Sequence, residues 1–211
     1  MARLRLTVLG SFDARLDGGR SLVFSRRKAQ ALLAYLALAH GQAQPRDKLA
    51  ALLWGDVSDD RARKSLRQVL VELRRLGGGP RSSPLVERGD TVALDPTMID
   101  VDADDFERLA RTDSVSALAD AAARYGGDLL AGLNVQERPF EEWLLTERER
   151  LRELAIDVLA KLLAHHAEHG ELEPAIQCGV KLLGLDPTQE VVHRTLMRLY
   201  AQQGRRGDMT S

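Results

Sequence analysis

Three groups of side chains have residue types that could carry out chemistry, and the first is a run of alternating aspartates. Asp100, Asp102 and Asp104 follow the spacing that opens an EF-hand calcium loop. That loop requires glycine where Asp105 stands and a bidentate glutamate where Arg111 stands. The spacing therefore does not predict a calcium site.

The second and third groups are a histidine cluster and a cysteine. His165 and His169 could share one face of a helix with His166 beside them, but the sequence supplies no further well-placed ligand. We interpret them as surface residues of an amphipathic helix. Cys178 is the one cysteine, which excludes an internal disulfide and favours a small buried hydrophobic role over a reactive thiol. We expect no metal site and no cofactor.

The spacings of known catalytic motifs are missing from the sequence, including the nucleophile elbow, the paired-cysteine motif, His-Glu-x-x-His and the P-loop. The run Gly77-Gly78-Gly79-Pro80 ends a predicted helix, whereas a phosphate-binding loop begins one. Acidic pairs such as Glu141-Glu142 belong to the solvated face of an arginine-rich helix. We therefore expect a protein that is not an enzyme and has no catalytic residues.

The net charge of −1 conceals two halves of opposite sign. Residues 1–97 contain 17 Lys and Arg against 10 Asp and Glu, whereas residues 98–211 contain 13 against 21. A basic half joined to an acidic half suggests a nucleic-acid-binding module attached to a second module. We predict a boundary near Asp95-Pro96 that separates domains 1–97 and 98–211. No apolar run approaches the roughly 20 residues that cross a bilayer, so we expect no membrane association.

A helix predicted from about Asp59 to Leu76 carries most of that positive charge. At roughly 100° per residue it separates into two faces. The apolar face consists of Ala62, Leu66, Val69, Leu70, Leu73 and Leu76, and the cationic face of Arg63, Lys64, Arg67, Val71, Arg74 and Arg75 with Gln68 at its edge. Only Glu72 opposes these cations, whereas an ordinary solvated helix mixes both signs. The pattern indicates a helix that packs on a core and presents positive charge to nucleic acid.

The elements around this helix predict a mainly α protein. Short strands at 3–9, 12–16 and 22–24 precede a helix that we expect to begin after the N-cap Ser25 and to end at His40-Gly41. A second helix opens at Pro45 and ends at Trp54, and strands 85–88 and 91–94 form a hairpin with a two-residue turn. Helix-turn-helix followed by a hairpin is a winged helix with a small β-sheet, in which the third helix enters the major groove.

The acidic half is predicted to be all helical from Phe106 onward. His169-Gly170 and Gln203-Gly204 lie 34 residues apart, each after a helix of similar pattern, and this period is typical of tetratricopeptide repeats. The match is partial, since Gly179 occupies a position that is bulky in such repeats. We expect a helical-repeat domain that offers a surface to another protein and whose last repeat is incomplete at the C-terminus.

Several motifs together resemble a known family. They are Leu4–Gly10, Arg26–Ala34, Leu52-Leu53-Trp54, Ala62–Leu66, Leu73–Leu76, Asp128–Leu133 and Phe140–Leu151. The chain is similar to the bacterial transcriptional activators of the Streptomyces antibiotic regulatory protein group, with an OmpR-type winged helix and a bacterial transcriptional activation domain. The resemblance implies a cytoplasmic, nucleoid-associated activator that binds direct repeats near promoters as a homodimer and contacts RNA polymerase.

Twelve residues are the predicted contacts with double-stranded DNA. Those of the third helix are Arg61, Arg63, Lys64, Arg67, Gln68, Val71, Arg74 and Arg75, and those outside it are Arg26, Arg27, Lys28 and Arg88. The residues from Arg63 to Gln68 are expected at base edges, and Arg74, Arg75, the first-helix cations and the hairpin cation at phosphates. The alternative is a helical-repeat interaction scaffold whose winged helix pairs with protein instead of DNA.

Overall fold

The computed structural model describes residues 3–17, 19–76, 83–112 and 114–209. The chain packs into two compact units. Unit 1 comprises Met1–Asp104 and Gly126–Arg148, and unit 2 comprises Asp105–Tyr125 and Glu149–Ser211. The predicted domain boundary at residue 97 stays a prediction, because packing groups residues without testing which of them fold independently.

The secondary structure follows the predicted order. The elements are β1 (Leu4–Thr7), β2 (Asp13–Leu16), β3 (Arg20–Ser21), α1 (Arg27–Leu38), β4 (Gln44–Pro45), α2 (Arg46–Leu53), α3 (Asp59–Arg74), β5 (Leu85–Arg88), β6 (Thr91–Leu94), β7 (Ile99–Val101), α4 (Asp102–Ala110), α5 (Val115–Arg124), α6 (Arg138–Glu168), α7 (Leu172–Leu185) and α8 (Glu190–Met209). The glycine-rich run 77–80 lies outside the described residues.

A four-stranded sheet of order β3-β2-β1-β7 begins unit 1. Leu4 and Leu6 are buried and Arg5 is exposed, which confirms the alternation predicted for β1. Strand β7 lies parallel to β1, with Leu4 opposite Ile99. This strand was not predicted, because three residues are too few to show an alternating pattern. The segment just after residue 97 therefore completes the first sheet.

The helices of unit 1 confirm the predicted helix-turn-helix, with α2 and α3 as its helices and a second sheet of order β4-β6-β5 beside them. The predicted hairpin pairs Leu85 with Leu94 and Arg88 with Thr91. Its turn contains Gly89 at φ +54°, a conformation that glycine adopts without strain. The core between these helices includes side chains that are at most 2% exposed: Leu32, Leu36, Leu53, Leu66 and Leu70.

The N-cap predicted at Ser25 is wrong. Helix α1 begins after Arg26, which makes no side-chain cap hydrogen bond. Ser25 instead donates its N–H and its hydroxyl to the Glu72 carboxylate, at 2.8 and 2.7 Å. Hydrogen bonds to a carboxylate are stronger than a neutral cap bond, so Ser25 ties the start of α1 to α3.

Unit 1 also contains residues 126–148, which lie far along the chain from its other elements. Leu129 forms an isolated bridge with Leu9, although no strand was predicted after Phe106. The Leu130 N–H donates to the Val8 carbonyl at 2.8 Å, and the Arg148 guanidinium donates to the Leu129 carbonyl at 2.7 Å. These bonds make the segment part of the packing of unit 1.

Unit 2 is helical in its described residues. A core cluster joins side chains of α6, α7 and α8, among them Leu163, Ile176 and Leu196. A Cβ added to Gly179 would lie 2.7 Å from the Leu196 side chain, so α7 packs closely on α8 at this glycine. The helix end predicted at Gln203-Gly204 is wrong, because α8 continues through both residues to Met209.

No helix in the described ranges is long and apolar enough to span a membrane.

Candidate nucleic-acid interface

Helix α3 has the two faces that its periodicity predicts. Its buried side chains are Ala62, Leu66, Val69, Leu70 and Leu73. Its predicted contact residues are all exposed, including the apolar Val71, which is 40% exposed. Asp59 and Asp60 occupy the first turn and Arg74 the last, which is the favourable order for the helix dipole. The exposed face is therefore a cationic surface on a firmly packed helix.

The cations in the first half of α3 are arranged by short contacts. The Arg63 Nε donates to the Asp47 carboxylate of α2 at 3.1 Å, and this hydrogen bond raises the pKa of the Arg63 guanidinium. The Arg67 Nε donates to the Arg63 carbonyl at 3.3 Å. Arg61 and Lys64 make no ion pair with any described residue. This half of the helix thus presents several guanidinium and ammonium groups to solvent.

The hairpin of β5 and β6, which we call the wing, is fixed to the end of α3 by one carboxylate. Glu87 of β5 accepts hydrogen bonds from the guanidinium of Arg74, with Arg74 Nη2 at 2.6 Å from Glu87 Oε2, and from Arg46 at the start of α2. The Glu87 side chain is 19% exposed, and its hydrogen bond from Arg74 lowers the pKa of the carboxyl. Arg74 is therefore held by the wing, whereas its neighbour Arg75 makes no ion pair with the described residues.

We expect Glu87→Gln to lower the free energy of unfolding at neutral pH, because two guanidinium groups lose their carboxylate. The folded pKa of Glu87 lies below its ordinary value of 4.5. Its contribution is therefore fully present above that value and is lost as the pH falls through the lowered folded pKa. Urea unfolding at a series of pH values should show the difference between parent and variant shrinking in acid. A difference that does not change with pH would contradict the ion pair, and Asp90→Asn at the exposed tip is the matched control.

The cations that precede or begin α1 divide into two kinds. Arg26 and Arg27 are exposed, and the Arg26 Nη1 donates to Gln68 Oε1 of α3 at 3.0 Å. Lys28 points the other way: its Nζ lies 2.5 Å from the Glu137 carboxylate and 5.4 Å from the centre of the Trp54 ring. Lys28 is half-buried and the other eleven predicted contacts are exposed. Its expected role at a phosphate stays a prediction that requires this ion pair to open.

Two surface hollows flank α3. The first, of about 570 Å³, lies between α2, α3 and the wing, and its lining includes Arg46, Asp47, Arg63, Arg67 and Asp90. The second, of about 560 Å³, lies on the opposite flank, and its lining includes Val23, Gln68, Val71 and Arg75. Among the residues that the structure describes, the cationic face is thus bordered by open grooves.

The aspartates, histidines and cysteine considered in the sequence analysis include side chains that make contacts within the fold. Asp102 accepts the N–H groups of Val8 and Leu9, at 2.8 and 3.1 Å. His166 lies 2.5 Å from the Glu171 carboxylate, and burial raises the pKa of the half-buried Cys178 thiol. In the residues that the structure describes, no group of three or more His, Cys, Asp or Glu side chains is arranged to hold a metal ion.

Sequence reasoning missed the residues that hold the interface in place. Glu87 and Glu137 are absent from the predicted set, although they hold Arg74 and Lys28. Arg46, the second partner of Glu87, is absent as well. Glu87 carried no signal that set it apart from Asp90, the other acidic residue of the hairpin. Glu137 carried none, because its partner Lys28 lies 109 residues earlier in the chain.

Comparison with known proteins bears on both halves of the chain. Residues 101–209 match the family described as the bacterial transcriptional activator domain. The solved structure of Mycobacterium tuberculosis EmbR in complex with a low-affinity phosphopeptide is similar to this chain, with a TM-score of 0.71 and 21% sequence identity. The similarity covers 99% of this chain and 57% of that one, and it confirms the predicted fold class. A comparison with curated proteins found no match.

Proposed function

Because the chain belongs to the bacterial transcriptional activator domain family, we propose that it activates transcription by binding double-stranded DNA through the cationic face of α3. The observation that carries this proposal is the separation of α3 into a buried apolar face and an exposed face of arginine and lysine. Phosphate attraction supplies much of the affinity of such surfaces for DNA.

Base contacts are assigned to the first part of α3. The N-terminal residues of a recognition helix enter the major groove most deeply, so Arg63, Lys64, Arg67 and Gln68 are the candidates for base edges. Arginine forms a bidentate pair with guanine, and glutamine with adenine. Val71 lies further along the same face and can contact a thymine methyl group.

Phosphate contacts are assigned to the cations around this centre. Those free of ion pairs with described residues are Arg26, Arg27, Arg61, Arg75 and Arg88. Arg74 and Lys28 are committed to Glu87 and Glu137, so they contribute to DNA affinity only where those pairs open. This ranking predicts a larger effect from removing Arg75 than from removing Arg74.

The family also supports a proposal for assembly and partners. We assign residues 1–97 to DNA binding and residues 98–211 to activation and assembly. On DNA the chain forms a homodimer on direct repeats near a promoter, in contact with RNA polymerase. The protein acts in the cytoplasm at the nucleoid, and it is a regulator rather than an enzyme.

A gel-shift titration of the parent chain tests the proposal. The probes are a random-sequence duplex and a duplex recovered by selection from a random library. We expect binding to both at low salt, tighter binding to the selected duplex, and weaker binding to each as salt rises. Absence of duplex binding at low salt would overturn the proposal and would favour the protein-interaction alternative.

The wing should contribute affinity without sequence preference. Arg88 is exposed beside a two-residue turn, so it reaches a phosphate but presents little to a base edge. Arg88→Ala should weaken binding to selected and random duplexes alike, by about 0.5–1.5 kcal/mol. Repeating the sequence selection with the variant checks this, and a changed preferred sequence would contradict the assignment.

A further inference from the structure

Glu137 has a buried carboxylate that the proposed DNA contacts do not include. Its side chain is 7% exposed, and it lies at the end of the segment that leads into α6. Burying a carboxylate is costly unless each oxygen finds a partner. One oxygen accepts a hydrogen bond from Lys28 Nζ at 2.5 Å, and the other accepts the Gly55 N–H at 3.1 Å.

One partner of Glu137 lies in the turn of the helix-turn-helix, and the other lies in the helix that precedes it. Lys28 is the second residue of α1, and Gly55 lies in the turn that joins α2 to α3. The Lys28 ammonium also lies over the ring of Trp54, the residue that ends α2. One carboxylate therefore connects the beginning of α1 to the turn that sets the direction in which α3 leaves α2.

The backbone that delivers Glu137 is constrained. Gln136 and Leu130 have φ values of +56° and +52°, which side-chain-bearing residues seldom adopt. Such conformations persist where the surrounding structure determines them. Leu130 is fully buried, and its N–H is bonded to the Val8 carbonyl. The segment thus places Glu137 in a defined position within unit 1.

We propose that Glu137 is a positioning residue through which the activator-domain sequence sets the orientation of α3 for DNA. Residue 137 lies inside the family match at 101–209, whereas Lys28 and Gly55 lie outside it. The inference rests on the proposed function, and it links that function to a residue outside the set of predicted DNA contacts. Sequence preference then depends on Glu137, although Glu137 touches no base.

The test compares the parent with Glu137→Gln in the full chain, by gel shift on the random and the selected duplex. Glutamine keeps an acceptor for Gly55 but loses the charge that holds Lys28. We expect affinity for the selected duplex to fall on the order of tenfold, as for the loss of about one base contact, which lowers the ratio of selected to random affinity. Random affinity should not fall, because the freed Lys28 adds only a phosphate contact. Glu141→Gln, an exposed residue one turn further along α6, is the matched control and should keep the parent ratio.

A double variant, Lys28→Gln with Glu137→Gln, replaces the ion pair by a pair of amides. Together with the two single variants it completes a double-mutant cycle. We expect the double variant to recover most of the ratio of selected to random affinity that Glu137→Gln loses. This holds even if Glu137→Gln alone lowers the melting temperature. A folded Glu137→Gln with the parent ratio, or a folded double variant without recovery, overturns the inference while the proposed function stands. A parent chain that binds no duplex overturns both.

Discussion

Replacing Arg67 with alanine is expected to weaken binding to the selected duplex by about 1–3 kcal/mol, the discrimination that one bidentate arginine–guanine pair provides. Arg67 is exposed in the middle of α3, and its Nε is directed by the Arg63 carbonyl at 3.3 Å. Affinity for random duplex should fall much less, because only one positive charge is lost. A repeated sequence selection with the variant should show relaxed preference at one base position.

Two controls separate base contact from charge. Arg67→Lys keeps the positive charge but lacks the planar fork, so it should lose nearly as much preference as alanine while binding random duplex like the parent. Arg108→Ala removes one exposed arginine from α4 and should leave preference unchanged. If Arg67→Lys keeps the parent preference, Arg67 contacts a phosphate and the assignment of the groove is wrong.

Asp102→Ala is expected to lower the free energy of unfolding by about 2–4 kcal/mol, since each buried donor left without a partner costs about 1–3 kcal/mol. The half-buried Asp102 carboxylate accepts the N–H groups of Val8 and Leu9 at 2.8 and 3.1 Å. Val8 and Leu9 are at most 3% exposed, so water does not replace the lost acceptor. Burial raises the pKa of the Asp102 carboxyl, although the hydrogen bonds from Val8 and Leu9 act in the opposite direction.

The matched control lies two residues away in β7. Asp100 forms an ion pair with Arg3 at 2.8 Å, but both side chains are well exposed, at 39% and 50%. Asp100→Ala should therefore cost at most about 1 kcal/mol. Chemical unfolding of both variants measures the difference directly. Equal losses would show that the donors of Val8 and Leu9 find other partners.

Local patterns predicted the parts of the fold that short stretches of sequence determine. The two faces of α3 follow from a spacing of 3.6 residues per turn, and the hairpin follows from two alternating runs around Gly89-Asp90. The predicted contact residues lie on these local elements, and most of them are exposed as expected.

Contacts between distant segments could not be predicted in this way. Strand β7 is defined by pairing with β1 across more than 90 residues, and Asp102 is bonded to Val8 across 94. The inward position of Lys28 depends on Glu137, and the lost cap at Ser25 depends on Glu72. In each case the side chain is held by a partner from a distant part of the chain. Periodicity relates only residues that are close in sequence, so it does not identify such partners.

The salt dependence of affinity for random duplex tests most directly whether α3 binds DNA through its cationic face. The measurement compares the parent, Arg75→Ala and the Arg108→Ala control across a range of salt concentrations. Each phosphate contact contributes about −0.9 to the slope of log affinity against log salt. We predict a steep slope for the parent and the control, and a slope shallower by about 0.9 for Arg75→Ala. Equal slopes for Arg75→Ala and the parent, or a parent that does not bind duplex, would contradict the account.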